Sequence, residues 1–511
     1  MKKLFLAIAV ALVPVTALAQ SASPAPSAEA DAVEEARQAV AQLDVRRLSS
    51  DRDYAAQILA HLDRLESAAG DAVEFRQRLD AIRIVTLHTL QRREEMRVVI
   101  GRMVERRSRD PETYRWPFIG ALELEDRPLA VTVLEVASRN VPGVRWRELR
   151  DIVEEDVMWM LLRELRPDPP VRVRLAEALF RIGWPGTAEF GDADPLRAIL
   201  VEDRLRRGDT AAAAEIAAGI SSTRPILRMI VQPRFDAVLA PGRDRIEVLR
   251  AAIDAEDRAT AGALASDPDD LKRLLYRAQH LRGKGHEQEA LRLLEPLLSD
   301  PAATARRSEE GMWLVNEAAY SLVAQGRPEE GLRLMAPLAA LPLAEHPYLI
   351  SVSINYAELL FEAGHHQRAV DHATHLQADA AEFASDYGDL WIASALACSL
   401  DRLDRPIEAG RQIDRMRPLA DTNPAAVTMA YLCLGRDDDA AALMVHRLSA
   451  EDPSEAILAL QDYTLSRGES QNGALYRRLV ALRERPDVRA ALARVGRVMP
   501  LPLARTYWGG F

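Results

Sequence analysis

The chain has 511 residues, 48 % of them hydrophobic but only 5 % aromatic, and a formal net charge of −11. Apolar mass supplied mainly by Ala, Leu, Val and Ile favours stacked helices over a sheet sandwich, and the length fits about three globular domains or one long repeat array. An acidic chain with both signs of charge interspersed repels polyanions, which argues against nucleic acid as a partner. Nor does a basic cluster mark an anionic lipid surface.

The first residues read MKKLFLAIAVALVPVTALAQ. Lys2 and Lys3 give a positive start, Leu4 to Val15 an apolar core, and Ala17-Leu18-Ala19 a small-x-small cleavage site. This is the pattern of a secretory signal peptide over residues 1–19. Cleavage after Ala19 is expected to send the mature chain to the periplasm or to secretion. Loss of Lys2 and Lys3 moves the net charge from −11 to −13. No Cys follows the cleavage site, so no lipoprotein anchor is expected. Residues 20–32, containing SASPAPSAEADA, read as a flexible spacer. No later stretch approaches the ~18 uninterrupted apolar residues of a membrane span.

Residues 33–190 are helix-patterned with irregular repeats and read as divergent helical hairpins continuous with the more regular array after them, a separate helical domain being the alternative. DYAAQILAHLDRLESAA and EFRQRLDAIRIVTLHTLQ form an amphipathic pair broken at Gly70. YRWPFIGALELEDRPLAVTVLEVASRN forms another, turning near Glu125-Asp126-Arg127, with Pro128 suited to the first turn of the second helix. VRLAEALFRIGW comes after the break made by Pro167, Pro169 and Pro170.

From 191 to 450 the units recur more evenly. In LLYRAQHLRGKGHEQEALRLLEPLLSDP, Leu274, Ala278 and Leu281 share one helix face, Gly285 breaks the chain, and Ala290, Leu294 and Leu297 share the next face. The glycine lies five residues before a small residue in the second helix at Gly208/Ala213, Gly285/Ala290, Gly326/Gly331, Gly364/Ala369 and Gly435/Ala440. In one further unit Asp404 holds the turn before Ala409.

These residues resemble the tetratricopeptide repeat family, whose unit has a small residue in helix A, an inter-helix Gly, a small residue early in helix B and a closing Pro. Trp313 and Ala319-Tyr320 in WLVNEAAYSLVAQGRPEEGL are similar to the family's helix A. The units depart from a steady ~34-residue period, because the small residues of helix B fall at 290, 331, 369, 409 and 440. The resemblance implies an all-α, right-handed solenoid of stacked hairpins. Because a hairpin cannot bury its apolar stripe alone, neighbours must stack and the ends need capping.

Residues 451–498, with ALYRRLVALRERPDVRAALARVGRV, are expected to supply C-terminal capping helices. The tail 499–511 is apolar and aromatic through Leu501, Leu503, Tyr507, Trp508 and Phe511. Folding back over the last exposed stripe is its expected fate, presentation to a partner the alternative.

The chain carries no phosphate-loop, dinucleotide, nucleophile-elbow or zincin motif, so no catalytic residue and no cofactor are expected. His365, His366, His372 and His375 in GHHQRAVDHATHLQ have a spacing that could gather imidazoles for Zn²⁺ or Cu²⁺. No well-placed carboxylate completes a shell, and no metal is assigned. Cys398 and Cys433 lie in the apolar helices ASALACSL and MAYLCLG and read as two buried thiols. The alternative in an oxidising compartment is a bridge between neighbouring repeats.

The resulting expectation is a periplasmic, non-catalytic scaffold that holds a protein or peptide of the cell envelope in a concave groove. Repeat position nominates Arg277, Asn316, Asn355 and Tyr356 as groove residues. The competing readings are a solenoid enzyme acting on cell-envelope polymer through a carboxylate pair, and an accessory scaffold for exopolysaccharide export.

Overall fold

The computed structural model describes residues 28–68, 73–141, 143, 145–149, 154–184, 193–239, 242–379, 383–465 and 473–505. The signal peptide, most of the spacer, Gly70, Tyr507, Trp508 and Phe511 lie outside these residues. The chain divides into two compact units, one up to Asp209 and one from Thr210. Among the described residues the only strands are two of two residues each, so the fold is all-α. No described helix is long and apolar enough to cross a membrane.

The first unit contains α1 (Ala28–Ala41), α2 (Val45–Leu48), α3 (Arg52–Ala68), α4 (Val73–Thr89), α5 (Arg93–Glu105), α6 (Arg115–Glu123), α7 (Arg127–Asn140), α8 (Glu155–Glu164), α9 (Pro169–Arg181) and α10 (Asp194–Arg206). Helices adjacent in sequence pack on one another, α3 on α4, α4 on α5, α6 on α7 and α9 on α10. Asp126 and Asp168 cap α7 and α9 by accepting from Leu129 N and Val171 N, with Pro in the first turn of each helix. An ion network ties α3, α4 and α5 together: Arg83 meets Glu66 at 2.6 Å, Arg102 meets Glu66 at 2.8 Å, and Arg106 meets the buried Asp80 at 2.6 Å.

The second unit runs through α11 (Thr210–Ala217), α12 (Thr223–Ile230), α13 (Arg245–Ser266), α14 (Leu271–Gly283), α15 (Glu287–Leu294), α16 (Pro301–Arg307), α17 (Glu309–Ala324), α18 (Pro328–Ala339), α19 (Ile350–Glu362) and α20 (His366–Asp379). It continues with α21 (Asp386–Arg402), α22 (Pro406–Met416), α23 (Pro424–Cys433), α24 (Asp437–Leu448), α25 (Ser454–Ala459), β1 (Asp462–Tyr463), α26 (Gly473–Glu484), α27 (Pro486–Val495) and β2 (Pro500–Leu501). The pairs α14/α15, α17/α18, α19/α20, α21/α22 and α23/α24 are the hairpins of a helical-repeat solenoid. First helices stack in order, α14 on α17, α17 on α19, α19 on α21 and α21 on α23. The core lies between hairpins as much as within them. Leu274, Ala278, Leu291 and Leu294 of one pack with Leu314, Ala318 and Leu322 of the next.

One turn builds every hairpin. Gly285, Gly326, Gly364 and Gly435 all have φ between 68° and 82°, the left-handed region that glycine enters without a Cβ penalty. The next residue's amide then reaches back to the first helix. His286 N bonds Leu281 O, Arg327 N bonds Leu322 O, His365 N bonds Leu360 O and Arg436 N bonds Tyr431 O, all at 2.8–2.9 Å. Asp404, at φ 58°, makes the same turn through Arg405 N and Leu400 O. In the first unit Gln91 (φ 60°) and Glu125 (φ 57°) repeat it, with Arg92 N on Leu87 O and Asp126 N on Ala121 O. Five residues beyond each turn the side chain is buried, as at Met96, Ala130, Ala290, Ala369, Ala409 and Ala440. At Gly331 even a methyl is too large, since an added Cβ would lie 2.8 Å from Ala319 O.

The second unit closes on itself. Gln232, buried after α12, donates to Ser454 Oγ at 3.0 Å, and Arg228 pairs with Asp452 at 2.9 Å. Arg497 N bonds Val231 O at 2.9 Å while its guanidinium grips Asp236 at 2.7 Å. The tail continues the closure: β2 pairs in parallel with β1, Leu501 and Leu503 are buried, and Ala504 N bonds Gly283 O at 2.9 Å. The described part of the tail does fold inward, but it reaches the end of α14 near the start of the array. Segment 451–498 likewise joins the first elements as well as capping the last hairpin, because α27 packs on α24.

Cys398 and Cys433 form a disulfide, with Cα atoms 5.3 Å apart, between α21 and α23. The reading of two free buried thiols is therefore corrected. Stacking of neighbouring first helices brings the two apolar faces into contact, and the sulfurs meet across it.

Asp404→Gly and Glu125→Gly relieve left-handed strain and should each raise stability by about 0.5–1 kcal/mol, whereas Gly326→Ala should lower it by about 1 kcal/mol. Chemical denaturation curves measure all three. The disulfide closes a 35-residue separation, so Cys398→Ser/Cys433→Ser should cost roughly 2–4 kcal/mol and several degrees of Tm. Calorimetry of the double variant checks it.

Candidate functional site

The first helices α14, α17 and α19 carry a row of ionisable side chains that passes from one hairpin to the next. At its start the Asp257 carboxylate of α13 accepts from Arg277 at 2.7 Å and from Lys284 at 3.0 Å. Burial pushes this carboxyl up, but the two cations outweigh it and hold Asp257 at about 2. His280 is buried between them with Nε2 3.3 Å from Asp257, and burial lowers its pKa despite the neighbouring carboxylates.

One helix further, Arg282 Nε donates to the buried Glu317 at 2.9 Å and its guanidinium lies 5.5 Å from the centre of the Tyr320 ring. Tyr320 faces Glu358 of α19 closely enough to lower that carboxyl's pKa in part. Glu358 is only half-buried, yet removal of water around it, with repulsion from Glu362 one turn on, raises its pKa to about 8. The same desolvation pushes the Tyr320 hydroxyl up, so it stays protonated and able to donate. A carboxyl that keeps its proton at neutral pH without being packed into the core is the chemically distinctive group of this unit.

The four residues nominated from repeat position divide. Arg277 is committed to Asp257 and to Thr260 Oγ1 at 3.2 Å. Asn316 is buried and accepts from Asn355 Nδ2 at 2.9 Å, so these two link neighbouring hairpins. Tyr356 is buried against its own second helix, where its hydroxyl accepts from Arg368 at 3.0 Å and its ring meets His372 edge-on. Sequence reasoning missed Glu358, Glu362 and Tyr320. The helical spacing of Glu358 and Glu362 was visible, but their shortage of water was not.

The histidines do not converge. His365 reaches Glu329 of the preceding hairpin at 2.7 Å, while His372 is turned to Ser353 O at 3.0 Å. Among the described residues no group of three or more His, Cys, Asp or Glu is arranged to hold a metal ion. A shallow depression of about 410 Å³ lies on the second helices, between α15 and α18, with Leu291, Leu298, Leu322 and Leu334 among its lining residues. It is distinct from the polar row.

No protein-family model and no curated protein matches the chain. Among solved structures it is similar to the Cut9–Hcn1 hetero-tetramer of APC/C, at 12 % identity and a TM-score of 0.28, over 94 % of this chain and 98 % of that one. It is also similar to Naa15/Naa10 bound to HypK-THB, at 14 % identity and a TM-score of 0.22, over 89 % and 68 % of the two chains. A circular tandem repeat protein with novel repeat topology gives 17 % identity and a TM-score of 0.11, over 91 % and 96 %. Likenesses this low carry no reading of function.

Glu358 supplies a pH test. Its folded pKa of about 8 stands above the ordinary carboxyl value of 4.5. Its contribution to stability is therefore intact below the unfolded pKa and is lost as pH rises through the folded one. Glu358→Gln should raise Tm clearly at pH 8 and little at pH 4, with a stabilisation on the order of 1–3 kcal/mol at the higher pH. Thermal unfolding of both chains at the two pH values measures it.

Proposed function

We propose that the chain is a non-catalytic scaffold of the periplasm, or secreted, that holds a protein or peptide partner against the first-helix face of its second unit. The observation that carries the reading is the row of Tyr320, Glu358 and Glu362, all partly exposed on stacked first helices, where desolvation raises the Glu358 carboxyl to about 8. Partly exposed polar groups in a low-dielectric setting offer a partner hydrogen bonds stronger than those at an open surface. The compartment rests on the leader sequence at residues 1–19 and agrees with a disulfide between Cys398 and Cys433.

One observation favours a second reading, an enzyme acting on envelope polymer. A carboxyl poised near pH 8 beside another carboxylate is the arrangement a general acid requires.

The two readings separate in one set of measurements. Cross-linking and affinity capture from an envelope extract should recover a reproducible partner with the intact chain and lose it with Glu358→Lys/Glu362→Lys. No partner, or a partner indifferent to the substitutions, contradicts the scaffold. Turnover of labelled peptidoglycan or polysaccharide that disappears in Glu358→Gln would establish the enzyme instead.

A further inference from the structure

The depression between α15 and α18 lies outside the Glu358 row and has a floor of leucines. Leu291 of α15 and Leu322 near the end of α17 are buried in the core that joins the two hairpins. Leu298 and Leu334, one from each hairpin, pack against the same core and remain partly exposed. α15 and α18 both pack on α17, so the end of α17 closes the bottom between them. Leu291 and Glu295 on one side, and Arg327, Glu330 and Leu334 on the other, recur at helical intervals. The hollow is therefore a trough about 10 Å long that runs with the helices.

The rim reverses the charge balance of the chain. It holds three guanidinium groups against two carboxylates, where the whole sequence has 66 basic residues to 77 acidic. Arg327 donates twice to Glu330, at 2.6 and 2.7 Å, so this pair is closed. Arg333 is exposed and comes only to 3.9 Å of the same carboxylate. Arg292, also exposed, has no hydrogen bond or ion pair among the described residues. Glu295 is the one rim carboxylate left without a cation among those residues, so two open guanidinium groups stand against one open carboxylate.

We propose that the trough docks an amphipathic helix of another protein, with leucine-like side chains on its buried face and carboxylates along its flanks. Apolar side chains laid on the leucine floor lose water, and the open forks of Arg292 and Arg333, carried on different hairpins, take carboxylates from the two edges of such a helix. An apolar centre inside a charged rim is the anatomy of a binding hot spot. A basic helix would leave both forks unmatched and repelled. The surface belongs to the second helices, so it is filled or empty independently of any partner on the first-helix face.

Fluorescence anisotropy with the chain from Gln20 onward, at low ionic strength, tests this against two synthetic helices. One carries leucines at heptad spacing flanked by glutamates, the other the same leucines flanked by lysines. Long-range attraction to the acidic chain favours the lysine helix, so a preference for glutamate can come only from a local basic rim. The expected result is that the glutamate helix binds about tenfold more tightly than the lysine helix. Arg292→Glu/Arg333→Glu, both exposed, should erase or reverse that preference. Arg250→Glu/Arg258→Glu, exposed on α13, changes the net charge equally and should respond like the wild type. Leu334→Asp should weaken both helices about tenfold, with Leu334→Ala in its place if that variant folds poorly. Equal binding of the two helices, binding of neither, or indifference to Arg292→Glu/Arg333→Glu overturns the proposal. So does a dimer in sedimentation velocity that Leu334→Asp dissociates, since the occupant is then a second copy.

Discussion

Two antiparallel helices joined by a tight turn expose more apolar surface than they cover, so each hairpin of the second unit is stable only with neighbours on both sides. Leu274 and Leu294 of one hairpin are finished by Leu314 and Leu322 of the next, and the same holds from α19 to α22. A row built in this way has two raw ends. Here they meet each other, with Ile230 and Val231 near one end and Ile457 and Leu458 near the other all fully buried. Polar contacts at the seam, from Gln232 to Ser454 and from Arg497 to Asp236, then fix the register of a joint whose bulk attraction is apolar.

That constraint explains where ionisable groups are tolerated. First helices approach closely enough for a disulfide between α21 and α23 and for the Asn316–Asn355 bond between α17 and α19. Side chains on the same face lose water to their neighbours, Glu317 wholly and Asp257 and Glu358 in part. Asp257 is rescued by two cations, Glu317 by Arg282, and Glu358 by keeping its proton. The outcome is a graded electrostatic strip set by packing, which a simple excess of acid would not produce.

The hairpins themselves were legible in the sequence because their signal is local. A glycine five residues before a small side chain records a left-handed turn and a close helix approach, both decided within one hairpin. Gln91 makes the same turn without glycine and was not read from the sequence, whereas the turn at Glu125 was marked by the polar run before Pro128. Asp404 was readable only because its neighbours kept the spacing. The seam was not legible at all: Arg497 and Asp236 are 261 residues apart, and nothing in either segment names the other. Repeat position could nominate groove residues but not the direction in which each side chain turns. Asn316 and Asn355, nominated for the groove, bond each other between hairpins, and Tyr356 turns to its own partner helix.

Closure of the second unit is the claim on which the seam and the inward tail both depend, and amide hydrogen exchange tests it most directly. The amides of Arg497 and Ala504 bond Val231 and Gly283, far from their own place in the chain. In a closed array they exchange with protection approaching that of the core amides of α21. Exchange of both at the rate of unstructured peptide, with α21 still protected, would show an array whose ends stand apart.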